Sequence, residues 1–172
     1  MSLITHARPL VAWRWLGLPA LACVLATVLL ATPIDIFGFR LPEPVFPLVL
    51  SFAWAAIRPS VLAPFVLLAL GLFLDSFWGG PAGLWAVSLL APYAAVLLVR
   101  GVMSGQDRGV NPVWYTLAVA LAFGVAYLVA GYDQLTSPNL VALLWQFLAT
   151  SLLYPFAHWL IERYEGADVR FR

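Results

Sequence analysis

The stretch GLFLDSFWGGPAGLW, residues 71–85, ends an apolar run with a carboxylate, Asp75. It then places Gly79, Gly80, Pro81 and Gly83 in quick succession. Whether that carboxylate belongs to a water-soluble core or to the end of a membrane helix decides the fold. Composition answers first. Of 172 residues, 63% are hydrophobic and 10% charged, whereas a soluble domain carries about 25% charged residues. All nine basic residues are arginine, and eight acids leave a net charge of +1. That balance gives no global attraction to nucleic acid. The single cysteine, Cys23, lies in an apolar run with no metal-ligand spacing around it and reads as a small core hydrophobe.

Outward from the opening stretch, six apolar segments can be drawn. They are Trp15–Thr32, Leu41–Ile57, Ser60–Trp78, Ala82–Val99, Pro112–Gly131 and Pro138–Ile161. A helix needs about 20 apolar residues, within a range of roughly 17–25, to cross a bilayer. Five segments fit. The second opens on Pro42, Glu43 and Pro44 and contains Pro47, a pattern that also suits a re-entrant segment. Arginine placement selects six crossings. Arg8, Arg14, Arg58, Arg100, Arg108, Arg163, Arg170 and Arg172 then share one side, and only Arg40 falls on the other. By the positive-inside rule both termini are cytoplasmic. The first segment lacks a small-x-small cleavage site and runs into Pro33-Ile34-Asp35, so it reads as a retained helix rather than a signal peptide. The expected fold is an all-α, polytopic bundle forming a single transmembrane domain over residues 1–172.

In that frame the third helix runs from the cytoplasm outward. Asp75 comes fifteen residues after Ser60, about 22 Å along a helix, which puts it near the outer boundary. A central Asp costs about 2.5–3.5 kcal/mol on the insertion scale. The eleven Leu, Val and Phe residues of this segment return about 3–7 kcal/mol. Insertion tolerates Asp75, but the carboxylate still needs a partner. It is either solvated or bound to nearby backbone N–H groups at the interface, or it faces a cavity or a partner protein. Gly79-Gly80-Pro81 forms the turn, with glycine at the helix end and proline in the first turn of the next helix. Gly83 allows close backbone approach. Gly71 lies one turn before Asp75 on the same face, where it lets a neighbouring helix close over the carboxylate.

The pattern Gly71, Leu72, Asp75, Gly79, Pro81, Gly83, Leu84 resembles the signature of the MreD family, the rod-shape-determining membrane proteins of bacteria. Pro44, Trp54 and the Arg58-Pro59 pair are similar to that family too. The resemblance covers roughly residues 40–100 and the six-helix plan, and it departs at Ala82, where the family usually carries a larger apolar residue. It implies a non-enzymatic scaffold in the inner membrane that binds an MreC-like bitopic protein. Further partners it implies are the RodA glycosyltransferase with its partner transpeptidase, and MreB filaments; it also leaves room for a homo-oligomer embedded in membrane lipid. The family resembles in fold the S components of energy-coupling-factor transporters, so the alternative implied function is a small-molecule (vitamin) binding subunit.

Two further constellations stand out. Ala118, Ala122, Ala126 and Ala130 recur every four residues, with Ala120 and Gly124 on another face. Such stripes let helices approach closely in lipid, within the bundle or against a partner's helix. Gln146, Thr150, Tyr154 and His158 form a polar stripe on the sixth segment. It serves interhelical hydrogen bonds or, with Ser88 and Asn139, ligand contacts. Pro92 and Pro155 each remove a backbone bond and are expected to kink their helices. Trp13, Trp15, Trp114 and Trp159 are placed to form an aromatic belt. There is no HExxH, GxSxG, paired intramembrane aspartate or nucleotide loop, so neither catalytic residue, cofactor nor metal is expected.

Overall fold

The structure, a computed structural model, describes residues 13–30, 35–36, 39–40, 43–57, 60–103, 111–134 and 139–169. It is all-helical apart from one minimal ladder. A π turn, Trp13–Gly17, leads into α1 (Leu18–Leu30). Then come α2 (Pro47–Ile57), α3 (Ala63–Trp78), α4 (Leu84–Met103), α5 (Asn111–Gln134), α6 (Leu140–Ser151) and α7 (Tyr154–Val169). Among the described residues, three stretches are long and apolar enough to cross a membrane: Leu84–Met103, Asn111–Tyr132 and Leu140–Tyr164. Three shorter apolar helices accompany them, Trp15–Leu30, Pro47–Ile57 and Ala63–Trp78.

Helix α2 forms the centre. Its residues from Pro47 to Ala55 are all buried, as befits a helix that is apolar on every side. Helix α4 packs between α3 and α5 and along α2, α7 packs on α2, and α6 packs on α5. Only one stripe of each surrounding helix is buried. On α3 it is Ala63, Leu67, Leu70, Gly71, Leu74 and Asp75, the three-and-four spacing of a single face. Leu68 and Leu72 point away from the core and are exposed.

Several sequence expectations need correction. The second segment, expected as a helix from Leu41, is helical only from Pro47. Residues 43–45 carry no helical structure. The prolines explain this. Pro44 and Pro47 lack the N–H that a helix would use, and a residue preceding proline is pushed toward extended backbone. The sixth segment, expected as one kinked helix, is two helices separated at Leu152 and Leu153. Pro155 offers no N–H to the Ser151 carbonyl, so the ladder stops there. The Leu152 N–H still makes the ordinary helical bond to the Leu148 carbonyl at 3.0 Å, whereas the Leu153 N–H closes a tighter turn onto the Thr150 carbonyl at 3.1 Å. Pro92, by contrast, leaves α4 unbroken. Close to it, the Ser51 hydroxyl of α2 donates to the Leu89 carbonyl at 2.7 Å, which ties α4 to α2 beside the proline. The connection before α2 is not purely irregular. It carries a two-residue antiparallel ladder pairing Asp35 with Arg40 and Ile36 with Phe39.

Candidate functional site

Residues 75–85 form one hydrogen-bonded joint. Asp75 lies on the last turn of α3 and is buried, with 4% of its surface exposed. Its Oδ2 accepts from the Gly83 N–H and its Oδ1 from the Trp85 N–H, both at 2.8 Å. Those amides belong to the start of α4, where a helix leaves N–H groups without internal partners. The carboxylate therefore caps the next helix, at the end where the helix dipole favours a negative charge. The backbone carbonyl of Asp75 also takes part, accepting from the N–H of Gly79 and, at 3.0 Å, of Gly80. One residue thus ends α3 and starts α4.

The glycines serve this joint in two different ways. Gly79 and Gly83 have φ of +64° and +94°, conformations that cost other L-residues about 1–3 kcal/mol. A Cβ on Gly83 would meet nothing within 4 Å. Its role is conformational, which corrects the expectation of close backbone approach. That approach is made by Gly71, where an added Cβ would collide with the backbone of Ala86 and Trp85. The neighbour that closes over Asp75 is α4 itself. Pro81 stands in the loop, three residues before α4, with its carbonyl accepting from the Leu84 N–H at 3.2 Å. It is not in the first helical turn as expected. Arg58 lies outside the described residues.

Around the joint, side chains link five parts of the chain into a circuit. The Trp78 Nε1 donates to Glu43 Oε2 at 2.9 Å. Trp78 meets Trp85 edge-on at 5.3 Å between ring centroids, Trp85 meets Phe123 at 5.9 Å, and Phe123 meets Phe147 at 6.0 Å. Gln146, next to Phe147, closes the circuit by donating from Nε2 to the Glu43 carbonyl at 3.1 Å. Glu43, Trp78 and Phe147 were not singled out from sequence. A proline-flanked acid and an aromatic at a helix end are the only signals they carry.

The polar stripe divides at the break between α6 and α7. On α6, the Thr150 hydroxyl is fully buried, donates to the Gln146 carbonyl at 2.7 Å and accepts the Val45 N–H at 3.1 Å. The Thr150 carbonyl accepts the Tyr115 hydroxyl at 2.9 Å. These bonds hold the non-helical residues before α2 inside the bundle, the setting in which irregular backbone is tolerated in a membrane protein. On α7, Tyr154 stacks on His158 at 5.8 Å, and His158 Nε2 lies 3.2 Å from Glu162 Oε1. Ser88 bonds within its own helix, to the Leu84 carbonyl. Asn139 caps α6 through the N–H groups of Val141 and Ala142.

Ala118, Ala122 and Ala126 are buried in the core of the bundle, while Ala120 and Gly124 are exposed. Trp15 is also a core residue, edge-on to Trp54 at 6.3 Å, rather than part of a belt. Trp159 does sit at the surface, with Arg163 5.2 Å above its ring. Protein-family models, characterised proteins and solved structures were compared with this chain, and none matches.

Proposed function

We propose that this chain is a non-enzymatic scaffold of the bacterial inner membrane, MreD-like, that binds a bitopic MreC-like partner in the cell-elongation machinery. In this reading the chain crosses six times with both termini cytoplasmic. The three shorter helices complete the crossings, the second of them lengthened by its non-helical lead-in. The observation that carries the reading is the joint at Asp75. The residues of the resemblance, Gly71, Asp75, Gly79 and Gly83, each have a distinct part in one rigid turn. Such a turn presents a fixed shape rather than a reactive group.

Of the polar groups that a small-molecule carrier would turn toward its ligand, Gln146, Thr150, Ser88 and Asn139 are engaged with the protein's own backbone. That engagement favours a scaffold over a vitamin-binding S component. The test is purification from bacterial membranes in mild detergent, followed by identification of what co-purifies. A single-pass protein with a coiled coil is the expected result. A tightly held metabolite without such a protein would replace this reading with the carrier. Topology is checked separately. A reporter fused after Arg172 is expected to behave as cytoplasmic and one inserted at residues 134–137 as external, and an external C-terminus would overturn the six crossings.

A further inference from the structure

Hydroxyls on the helices of this chain follow one habit. Thr27, Ser76, Ser88, Thr116 and Thr150 each donate to the carbonyl four residues back, at 2.7–2.9 Å. Ser51 donates across to α4 instead. Ser151, the last residue of α6, does neither. Its Oγ is shut away from solvent and has no hydrogen-bond partner among the described residues. A hydroxyl buried in that way is costly.

Ser151 stands where the backbone ladder stops. Pro155 has no N–H to give the Ser151 carbonyl. The next amide, that of Phe156, goes to the Leu153 carbonyl at 3.0 Å, and that of Ala157 goes there too at 3.2 Å. The Leu152 carbonyl therefore lacks its helical donor as well. Leu152 keeps right-handed helical angles, with φ −67° and ψ −12°. Its carbonyl thus points, like that of Ser151, toward the start of α7. Two bare acceptors and one unpartnered hydroxyl lie within two consecutive residues.

The chemistry of this set selects its ligand. A buried water makes about three hydrogen bonds. Here it can donate to the two carbonyls and accept from the Ser151 hydroxyl. A hard cation such as calcium takes about six to eight oxygens, more than these residues offer. An anion would face two carbonyl oxygens. Ordered water is also one of the ways in which membrane helices interrupted by proline satisfy their freed backbone groups.

We infer that the α6–α7 break binds one water molecule through the Ser151 hydroxyl and the carbonyls of Ser151 and Leu152. The water stands in for the amide that Pro155 lacks. It carries the ladder from α6, which packs on α5, into α7, which packs on α2. The site rests on backbone chemistry and is independent of the scaffold reading.

The test is radiolytic hydroxyl-radical labelling of the full chain in lipid nanodiscs, read residue by residue by mass spectrometry, beside the unfolding equilibrium in detergent. Bound water labels the side chains next to it. Leu153 and Pro155 are expected to be labelled about fivefold more than Leu148, an exposed leucine one turn back on α6 with no hydrated group of its own. Ser151→Ala should remove that excess, and Ser151→Thr, which keeps the hydroxyl, should retain it. Ser151→Ala should also shift the unfolding equilibrium about fivefold further than Ser88→Ala, whose hydroxyl bonds only within its own helix. Labelling of Leu153 and Pro155 no greater than that of Leu148 would overturn the proposal. So would labelling unchanged by Ser151→Ala, since the hydroxyl would then hold no water. A Ser151→Ala protein as stable as Ser88→Ala, or more stable than the wild type, would show a dry break and overturn it equally.

Discussion

Substitution of Asp75 separates insertion from folding. In Asp75→Ala the Gly83 and Trp85 amides both lose their acceptor. A buried N–H without a partner costs about 1–3 kcal/mol. The bond to Trp85 is buried and the bond to Gly83 only partly so, which lets water replace the second in part. A loss of about 2–4 kcal/mol follows from that count. Asp75→Asn keeps one acceptor but turns an NH₂ toward the other amide, so about 1–3 kcal/mol is expected. Insertion moves the other way, because removing a carboxylate makes the segment more apolar. Both variants should therefore reach the membrane in amounts at least equal to the wild type and yet unfold more readily. The assay is titration with sodium dodecyl sulfate of protein in mild detergent, followed by circular dichroism, beside quantitative blotting of membranes. If both variants unfold within about 0.5 kcal/mol of the wild type, the carboxylate does not hold α4 and the account of the joint is wrong.

Gly71→Ala drives a Cβ into the backbone of Ala86 and should cost about 1–3 kcal/mol by overpacking, read in the same titration. Ala122→Leu, at a fully buried position, should cost a similar about 1–3 kcal/mol. Gly124→Leu, on an open face, should be tolerated, and equal effects of the two would show that the stripe does not pack inward. Thr150→Val removes the acceptor of the Val45 N–H and should destabilise by about 1–3 kcal/mol. Thr150→Ser keeps the hydroxyl and should lose far less, as measured by the same unfolding midpoints.

The apolar runs and the glycine–proline turn could be read directly, because length, hydropathy and backbone restriction are local properties. The alanine stripe was legible as spacing, and its burial follows from the three-and-four period of α5. The partners of Asp75 were not legible. They lie eight and ten residues onward, and only the turn's geometry brings those amides to the carboxylate. Gly83 was misread for a related reason: sequence marks a glycine but not whether it is needed for its φ or for its missing Cβ. The prolines before α2 and within the sixth segment signalled disruption. Where the helices stop depends on substitute bonds, such as that of the Leu153 N–H to the Thr150 carbonyl, that no pattern displays.

The bond from the Val45 amide to the Thr150 hydroxyl joins residues 105 positions apart. A ribosome adding about 5–20 residues per second makes Thr150 roughly 5–20 s after Val45. During that interval the second apolar segment has no threonine to receive its amide. Its finished form therefore waits for the sixth segment to arrive. A chain truncated before Thr150 would halt biogenesis with that segment still hydrated, exposed to the quality-control proteases of the membrane.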